Sequence, residues 1–338
     1  MRRRQIGNTS LQVPAFGLGG ATLGDSTGAI PESQALSTIE CAYYAGIDYF
    51  DTSPWYGNGK SELRFGAVLR QKPRDSFLLS TKIGRVYSRC ADPDHPSQQR
   101  WRGGLPFCPQ FDYTRAGVRR SYEQSLLRLG LNSVDALLIH DIDEGHQKSA
   151  EGVEQRFREL SDGGGFEVLA SLKASGEIKA IGAGVNRPGM IPKFLSRFAI
   201  DFFLLAMPYT LLSQDALAEE LPLCISRGVS IIVGAPFASG ILASGPVAGA
   251  TYGYSTASED VRERVRKLML VCERHAVPLG AAALQFPLGH PAVASVIAGP
   301  NAPDQVRANL QWFNHDIPMQ FWHELKERGL IRAEAPVP

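Results

Sequence analysis

Short apolar runs alternate with amphipathic helical stretches from one end of this 338-residue chain to the other. This alternation is typical of a parallel sheet whose strands are joined by crossover helices. Eight runs are predicted as strands: 15–18, 48–50, 77–80, 134–139, 178–182, 202–205, 230–233 and 293–297. Helices are predicted near 33–45, 61–69, 114–129, 165–175, 190–197, 214–226, 259–275 and 280–288.

Eight strands separated by helices favour an α/β fold of the (β/α)₈ TIM barrel type over its alternative, an open doubly wound sheet. The G-x-G-x-x-G fingerprint of the open fold is absent, because Gly17 and Gly19 are followed by Thr22 where the third glycine belongs. A phosphate-binding P-loop ending in Lys60 is excluded as well, since Pro54 stands where its first glycine is needed. We expect one domain over residues 1–338, with a short N-terminal β-hairpin.

Two long segments, 85–112 and 237–258, lack an obvious helix or strand. Each follows a predicted strand, so in a barrel each lies at the C-terminal face, where active sites are built. We therefore predict that they are long βα loops that bind the substrate. Aromatic residues in and beside them are the candidate substrate contacts, with plain loop packing as the alternative: Trp55, Trp101, Phe107 and Phe237.

The charge balance gives no case for nucleic acid or an anionic membrane as partner, because Lys and Arg total 35 and Asp and Glu total 34. No stretch approaches the ~18 apolar residues that span a bilayer. The five cysteines are odd in number and scattered without a C-x-x-C, so neither a disulfide framework nor a zinc knuckle is expected. We expect a cytoplasmic protein, a monomer or small homo-oligomer, that acts on a small molecule.

No metal site is predicted, because the carboxylates and histidines such as His95, Asp141, Asp143 and His146 form no recognisable ligand set. The acidic cluster at 141–144 is interpreted as a solvated loop.

Ionisable side chains stand at the ends of three successive predicted strands. Asp51 closes one strand with Tyr56 five residues on, Lys82 closes the next, and His140 closes the third. Each residue alone is more often structural than catalytic. Because the carboxyl ends of parallel strands share one rim, their joint placement indicates a site.

These residue types suit proton transfer at an alcohol or carbonyl oxygen. A phenol has a pKa of roughly 10, and we expect the Lys82 cation to lower that of Tyr56. Asp51 can hold Lys82 in place, and a neutral His140 can orient the substrate oxygen toward the phenol. Hydride would move at the adjacent carbon.

The motifs resemble those of the aldo-keto reductases along nearly the whole chain. The matching pieces are LGG at 18–20, GIDYFDT at 46–52 with Tyr56, SEL at 61–63 with Gly66, TK at 81–82, LIH at 138–140, GEIKAIG at 176–182 and Asn186. The resemblance implies a barrel with a nicotinamide cofactor across its C-terminal face. It also implies that Asp51, Tyr56, Lys82 and His140 form the catalytic tetrad.

The resemblance carries over to the cofactor site with gaps. It places Asn186 at the carboxamide, Met207 where the family has a glutamine, and Gly234 where an aromatic often stacks on the nicotinamide. Further positions in the implied cofactor site are Pro236, Gly240 and Asn309. Gly299 and Gln305 stand where a Lys and an Arg bind the 2′-phosphate of NADP, so NAD is predicted to be preferred, although Arg307 is near enough to compensate.

The segments 184–186, 207–212 and 234–242 resemble one branch of the family, whose members oxidise cyclic hemiacetals. The expected reaction is NAD-dependent oxidation of an L-fucose or D-threo-aldose type sugar to its lactone. Pyridoxal oxidation to 4-pyridoxolactone is the first alternative. An NADPH-dependent aldehyde reductase and a non-catalytic cofactor-sensing subunit are the others.

Overall fold

The computed structural model of the chain describes residues 1–26, 28–92, 97, 100–101 and 103–338, so His95 lies outside the described residues. The strands in these residues are β1 (Arg3–Gln5), β2 (Gln12–Pro14), β3 (Phe16–Gly19), β4 (Tyr49–Asp51), β5 (Leu78–Ile83), β6 (Arg85–Arg89), β7 (Phe107–Phe111), β8 (Ala136–His140), β9 (Ala180–Val185), β10 (Phe202–Ala206), β11 (Ser230–Gly234), β12 (Thr251–Tyr252), β13 (Ser255–Thr256) and β14 (Val293–Ala298).

Eight of these strands close into a parallel barrel in the order β3, β4, β5, β8, β9, β10, β11 and β14, with β14 paired back to β3. All eight correspond to the predicted strands, with ends shifted by at most three residues. The predicted (β/α)₈ barrel is therefore confirmed and the open sheet is excluded. The predicted N-terminal hairpin is β1 with β2, an antiparallel pair.

The α-helices of the described residues are α1 (Glu32–Tyr44), α2 (Lys60–Leu69), α3 (Arg115–Leu129), α4 (Glu144–Gln147), α5 (Ala150–Ser161), α6 (Gly165–Ala174), α7 (Met190–Leu195), α8 (Glu220–Arg227), α9 (Ile241–Ser244), α10 (Glu259–Arg274), α11 (Leu279–Gln285), α12 (Pro303–Phe313) and α13 (Met319–Glu327). Side-chain caps begin several of them, as at Thr114, whose hydroxyl accepts the Gly117 N–H, and at Ser149, which accepts that of Gly152. None of these helices is long and apolar enough to cross a membrane.

Alternation along the strands divides the core into two parts. In β8, Ala136 and Leu138 point into the barrel, where Ile6 and Leu11 of the N-terminal hairpin region close its lower end. Leu137 and its neighbours of the same parity pack outward against the helices. Because side chains alternate with a period of two, His140 shares the inward face of Leu138.

The two segments predicted to lack helix and strand are structured where the structure describes them, so that prediction was wrong. In the first, β6 and β7 form an antiparallel hairpin in which Tyr87 pairs with Pro109. Proline has no N–H to donate to the ladder. The Gln124 side chain of α3 instead bonds both the N–H and the carbonyl of Tyr87, at 3.0 and 3.1 Å. The second segment contains α9 and the β12–β13 hairpin.

A disulfide joins Cys90 and Cys108, whose Cα atoms are 4.8 Å apart. The scattered positions of the cysteines in the sequence did not indicate this pair. The two cysteines lie 18 residues apart in sequence, and the pairing of β6 with β7 brings them together.

Candidate active site

Three of the predicted site residues stand on inward-facing strand ends at the C-terminal rim of the barrel. Asp51 is the last residue of β4 and pairs in register with Ser80 of β5. Lys82 pairs with Leu138 of β8, and His140, the last residue of β8, pairs with Gly184 of β9. Neighbouring strands thus place the three polar side chains above one apolar barrel interior.

Asp51 and Lys82 form a buried ion pair. Each is 1% exposed, and the distance from Lys82 Nζ to Asp51 Oδ2 is 2.7 Å. The ammonium group also donates to the Thr52 carbonyl at 2.7 Å, and Ser80 Oγ donates to Asp51 Oδ1 at 2.7 Å. These bonds satisfy both charges and hold Lys82 with Nζ 4.9 Å from the centre of the Tyr56 ring.

Tyr56 lies on the loop after β4, which is held by close backbone packing. A Cβ at Gly24 would lie 2.5 Å from the Tyr56 carbonyl carbon, and one at Gly57 would lie 2.8 Å from the Gly24 oxygen. Gly57 also has a φ of 67°, which favours glycine. Only glycines fit this contact, and it fixes Tyr56 edge-on to the His140 ring with 6.0 Å between ring centres.

The pKa of Tyr56 is raised well above its ordinary value. Burial of the phenol is the main cause, followed by the negative charges of Asp51 and Asp141, while Arg85 acts in the lowering direction. The expectation that Lys82 lowers this pKa was wrong for the free protein. The Lys82 charge is neutralised by Asp51 at 2.7 Å, and burial opposes the phenolate.

His140 is held neutral and in one tautomer. Burial holds its pKa well below the ordinary value, and Lys82 and Arg85 act in the same direction against the opposing Asp141. The distance from His140 Nε2 to Asp141 Oδ1 is 3.4 Å. Ser53 Oγ accepts the Trp55 N–H at 3.1 Å and lies 3.1 Å from His140 Nδ1, so its hydroxyl can donate to Nδ1. The ring proton of the neutral imidazole is then on Nε2.

The backbone around His140 is also shaped for its ring. A Cβ at Gly184 would lie 3.1 Å from His140 Cδ2 and would press on the imidazole. The hydroxyl of Tyr113 donates to the His140 carbonyl. A Cβ at Gly84 would lie 2.1 Å from the Tyr113 ring, so the glycine that follows β5 makes room for this support.

Comparison with known proteins identifies the family to which this chain belongs. The model of the Aldo/keto reductase family matches residues 15–329. This chain belongs to that family. It is 39% identical over 337 residues to pyridoxal 4-dehydrogenase of Microbacterium luteolum, covering 97% of this chain and 98% of that protein. It is 35% identical over 332 residues to D-threo-aldose 1-dehydrogenase of a Pseudomonas species, covering 95% of each.

A solved aldo-keto reductase of Bacillus halodurans, in its holo form, superposes on this chain with a TM-score of 0.75 at 25% identity. The superposition covers 99% of this chain and 98% of that one. The protein is therefore an oxidoreductase, and membership of the aldo/keto reductase family implies a nicotinamide cofactor.

The predicted cofactor residues lie on the other half of this aldo/keto reductase rim. They follow the ends of β9, β10, β11 and β14 or lie on α12: Asn186, Met207, Gly234, Pro236, Gly240, Gly299, Gln305 and Asn309. Asn186 is half-buried and Asn309 is 4% exposed. Neither side-chain amide bonds to another described residue, so both have free hydrogen-bonding groups that fit a cofactor rich in polar atoms.

The predicted substrate aromatics separate in space. Trp55 and Trp101 pack edge-on with 5.5 Å between ring centres, and Trp101 lies 6.1 Å from the Tyr56 ring. The structure does not bring the other two to this cluster. Phe107 is 42% exposed and pairs with Arg89 at the end of the β6–β7 hairpin where the loop connects the two strands. Phe237 packs on Trp312 of α12, on the cofactor half of the rim.

Sequence reasoning missed four residues that surround the candidate tetrad. Ser53 bonds His140, and Arg85 lines the same small pocket as Lys82 and His140. Asp141 was expected in a solvated loop but is 2% exposed, so that expectation was wrong. Tyr254, at the turn of the β12–β13 hairpin, lies near enough for its phenol to oppose ionisation of Tyr56. Aspartate side chains are usually exposed, so the burial of Asp141 could not be inferred from its residue type.

Proposed function

We propose that this protein is an NAD-dependent dehydrogenase that oxidises a cyclic hemiacetal to a lactone, with Asp51, Tyr56, Lys82 and His140 as its catalytic group. The observation that carries the proposal is the arrangement of Tyr56 between a fixed cation and a neutral imidazole. Lys82 Nζ is 4.9 Å from the phenol ring centre, and the His140 ring is 6.0 Å from it.

In this arrangement Tyr56 exchanges the proton of the substrate oxygen. His140, neutral with its proton on Nε2, donates a hydrogen bond to that oxygen and orients it toward the phenol. Lys82 stays charged beside Asp51 and stabilises the phenolate when it forms. A bound oxidised nicotinamide would accept the hydride and bring one positive charge to the pocket.

The raised pKa of Tyr56 sets its protonation state at neutral pH in the free protein. The phenol is protonated in the free protein, because burial and Asp51 oppose its ionisation. A protonated phenol is ready to give its proton to a carbonyl oxygen in reduction, whereas oxidation first requires the phenolate. We therefore expect oxidation to be favoured by alkaline pH.

The segment after β14 supports NAD over NADP. Gly299 has no side chain, and Gln305 Oε1 accepts the N–H of Asn301 at 2.8 Å. Arg307, which was near enough to compensate, pairs with Asp304 and donates to Cys41 Sγ at 3.4 Å. The nearby cation is thus already paired, and a 2′-phosphate would lack a dedicated partner.

The substrate class is supported by the two relatives. Their names give pyridoxal and a D-threo-aldose as substrates. Both molecules carry an aldehyde that closes on a hydroxyl of the same molecule to a cyclic hemiacetal. The same hydride and proton transfers at Tyr56 would convert either ring to a lactone, so pyridoxal is kept as the second candidate.

The test is NAD and NADP reduction by the purified protein with L-fucose, D-arabinose, L-galactose, D-galactose and pyridoxal. We expect NAD-linked oxidation of at least one of them and its loss in Tyr56→Phe. A clear preference for NADP would contradict the inference from Gly299 and Gln305. No activity on any of the five would refute the hemiacetal substrate class.

A further inference from the structure

Arg85 is a buried cation in the pocket wall that the proposed proton transfer does not use. It begins β6, is 4% exposed, and lines the same pocket as Ser53, Lys82 and His140. The guanidinium carbon is 4.3 Å from the Trp55 ring centre and 4.5 Å from that of Phe111. Rings thus pack against the guanidinium and fix its position, while its N–H groups remain its means of recognition.

Asp141 holds this guanidinium from behind. Arg85 Nη1 is 2.8 Å from Asp141 Oδ2, and Asp141 Oδ1 faces His140 Nε2 at 3.4 Å. Burial opposes the charge of Asp141, but the Arg85 cation at 2.8 Å outweighs it and keeps the Asp141 pKa below its ordinary value. Arg85 and His140 are therefore tied to one carboxylate, so their donor groups keep a constant separation.

The acidic groups behind this pair do not make a metal site. Asp141, Asp143 and His146 offer ligand atoms within 4.8 Å of one another. However, the Arg85 cation already occupies Asp141, and His146 Nδ1 lies 2.9 Å from Asp143 Oδ2. These contacts form a closed chain of ion pairs, whose net effect on stability is small. Its consequence is the fixed position of Arg85.

We propose that Arg85 is a specificity-determining residue that binds an oxygen substituent close to the reacting carbon of the substrate, with Asp141 as its positioning residue. This inference rests on the proposed function for the identity of that substituent. The sugar hemiacetal carries a hydroxyl on the carbon next to the reacting one. Pyridoxal carries a ring hydroxyl ortho to the carbon that bears the hemiacetal.

An oxygen at either place is a good acceptor for a guanidinium N–H, and an ionised hydroxyl is a better one. Because Arg85 and His140 line the same pocket, a substrate could place its reacting oxygen at His140 and the neighbouring oxygen at Arg85. A substrate that lacks the second oxygen would leave the guanidinium N–H groups that do not face Asp141 without an acceptor, and buried unpaired donors are costly.

The experiment compares matched aldehydes in the reductive direction, with NADH as reductant: salicylaldehyde against benzaldehyde, and glycolaldehyde against acetaldehyde. We expect wild type to prefer the hydroxylated member of each pair in kcat/KM. In Arg85→Gln we expect kcat/KM for the hydroxylated member to fall about 10-fold to 100-fold, chiefly through a higher KM, so that the preference disappears. Arg266→Gln, a surface change on α10, is the matched control and should keep the preference.

Two further measurements keep the test decisive. Where Arg85→Gln fails to fold because Asp141 loses its partner, Arg85→Gln with Asp141→Asn removes both charges. Binding of 2-hydroxybenzyl alcohol against benzyl alcohol to the NADH-loaded protein, measured by calorimetry, reports the same preference without turnover, because an alcohol and a reduced nicotinamide cannot react. Equal losses for both members of a pair, or an unchanged preference, would overturn the role of Arg85. A wild type that keeps the aldehyde preference but oxidises no hemiacetal would refute only the proposed function.

Discussion

Replacing Lys82 with methionine should destabilise the fold as well as stop the chemistry. Lys82 and Asp51 are each 1% exposed, and the Asp51 Oδ2 atom is bonded by Lys82 Nζ at 2.7 Å. The substitution leaves a buried carboxylate with Ser80 as its remaining side-chain donor. Breaking a buried ion pair in this way costs about 3–5 kcal/mol of unfolding free energy.

A second substitution should recover much of that loss. In Asp51→Asn with Lys82→Met, the new amide oxygen can still accept the Ser80 hydroxyl, and no buried charge remains. The residual cost is the Thr52 carbonyl, which loses its Lys82 donor; an unsatisfied buried group costs about 1–3 kcal/mol. The double variant should therefore be more stable than Lys82→Met alone, although both lack turnover.

Urea unfolding followed by tryptophan fluorescence measures these differences, since the chain has four tryptophans. Arg266→Met, which breaks exposed pairs with Glu259 and Glu263 on α10, is the control and should leave the unfolding free energy nearly unchanged. A Lys82→Met protein as stable as wild type, or a double variant no more stable than Lys82→Met, would refute the view that this charge pair is buried and coupled.

Three further predictions concern the site chemistry. Oxidation should accelerate as pH rises, because the raised pKa of Tyr56 keeps the phenol protonated at neutral pH, while carbonyl reduction should not; paired pH profiles in the two directions test this. Ser53→Ala removes the hydroxyl that bonds His140 Nδ1, and kcat should fall roughly tenfold for the loss of one such bond, with melting temperature as the check on folding. Gly299→Arg should lower the KM for NADP about tenfold or more without improving that for NAD, in steady-state assays with both cofactors.

The barrel strands could be predicted because each is a short apolar run between amphipathic helices. The helices α5, α12 and α13 were missed. In α12, Pro303 occupies the first helical position, where proline is common. The β6–β7 hairpin was hidden for a different reason. Pro109 argues against a strand, and the bonds that offset it come from the side chain of Gln124 on α3, the helix that follows the hairpin.

The candidate tetrad was predictable because Asp51, Lys82 and His140 stand at or next to the ends of successive strands, where chain order and spatial order agree. Tyr56 follows the first of these strand ends by five residues. Arg85 and Asp141 follow the same strand ends by only one to three residues, yet nothing in their types reveals burial. A residue of either type is usually exposed. Asp141 is buried because its backbone takes a φ of 60° directly after His140 and because Arg85 meets it at 2.8 Å. Such pairings depend on tertiary contacts.

The direction of the Tyr56 pKa shift depends on the positions of its neighbours and not only on their residue types. A tyrosine beside a lysine suggests a lowered pKa when the two are considered alone. In the folded chain, Asp51 neutralises Lys82 at 2.7 Å and the pKa of Tyr56 is raised by its burial. A positive charge that enters the pocket would therefore favour the phenolate. An oxidised nicotinamide carries such a charge and a reduced one does not, so the direction of proton transfer at Tyr56 would be coupled to the redox state of the cofactor.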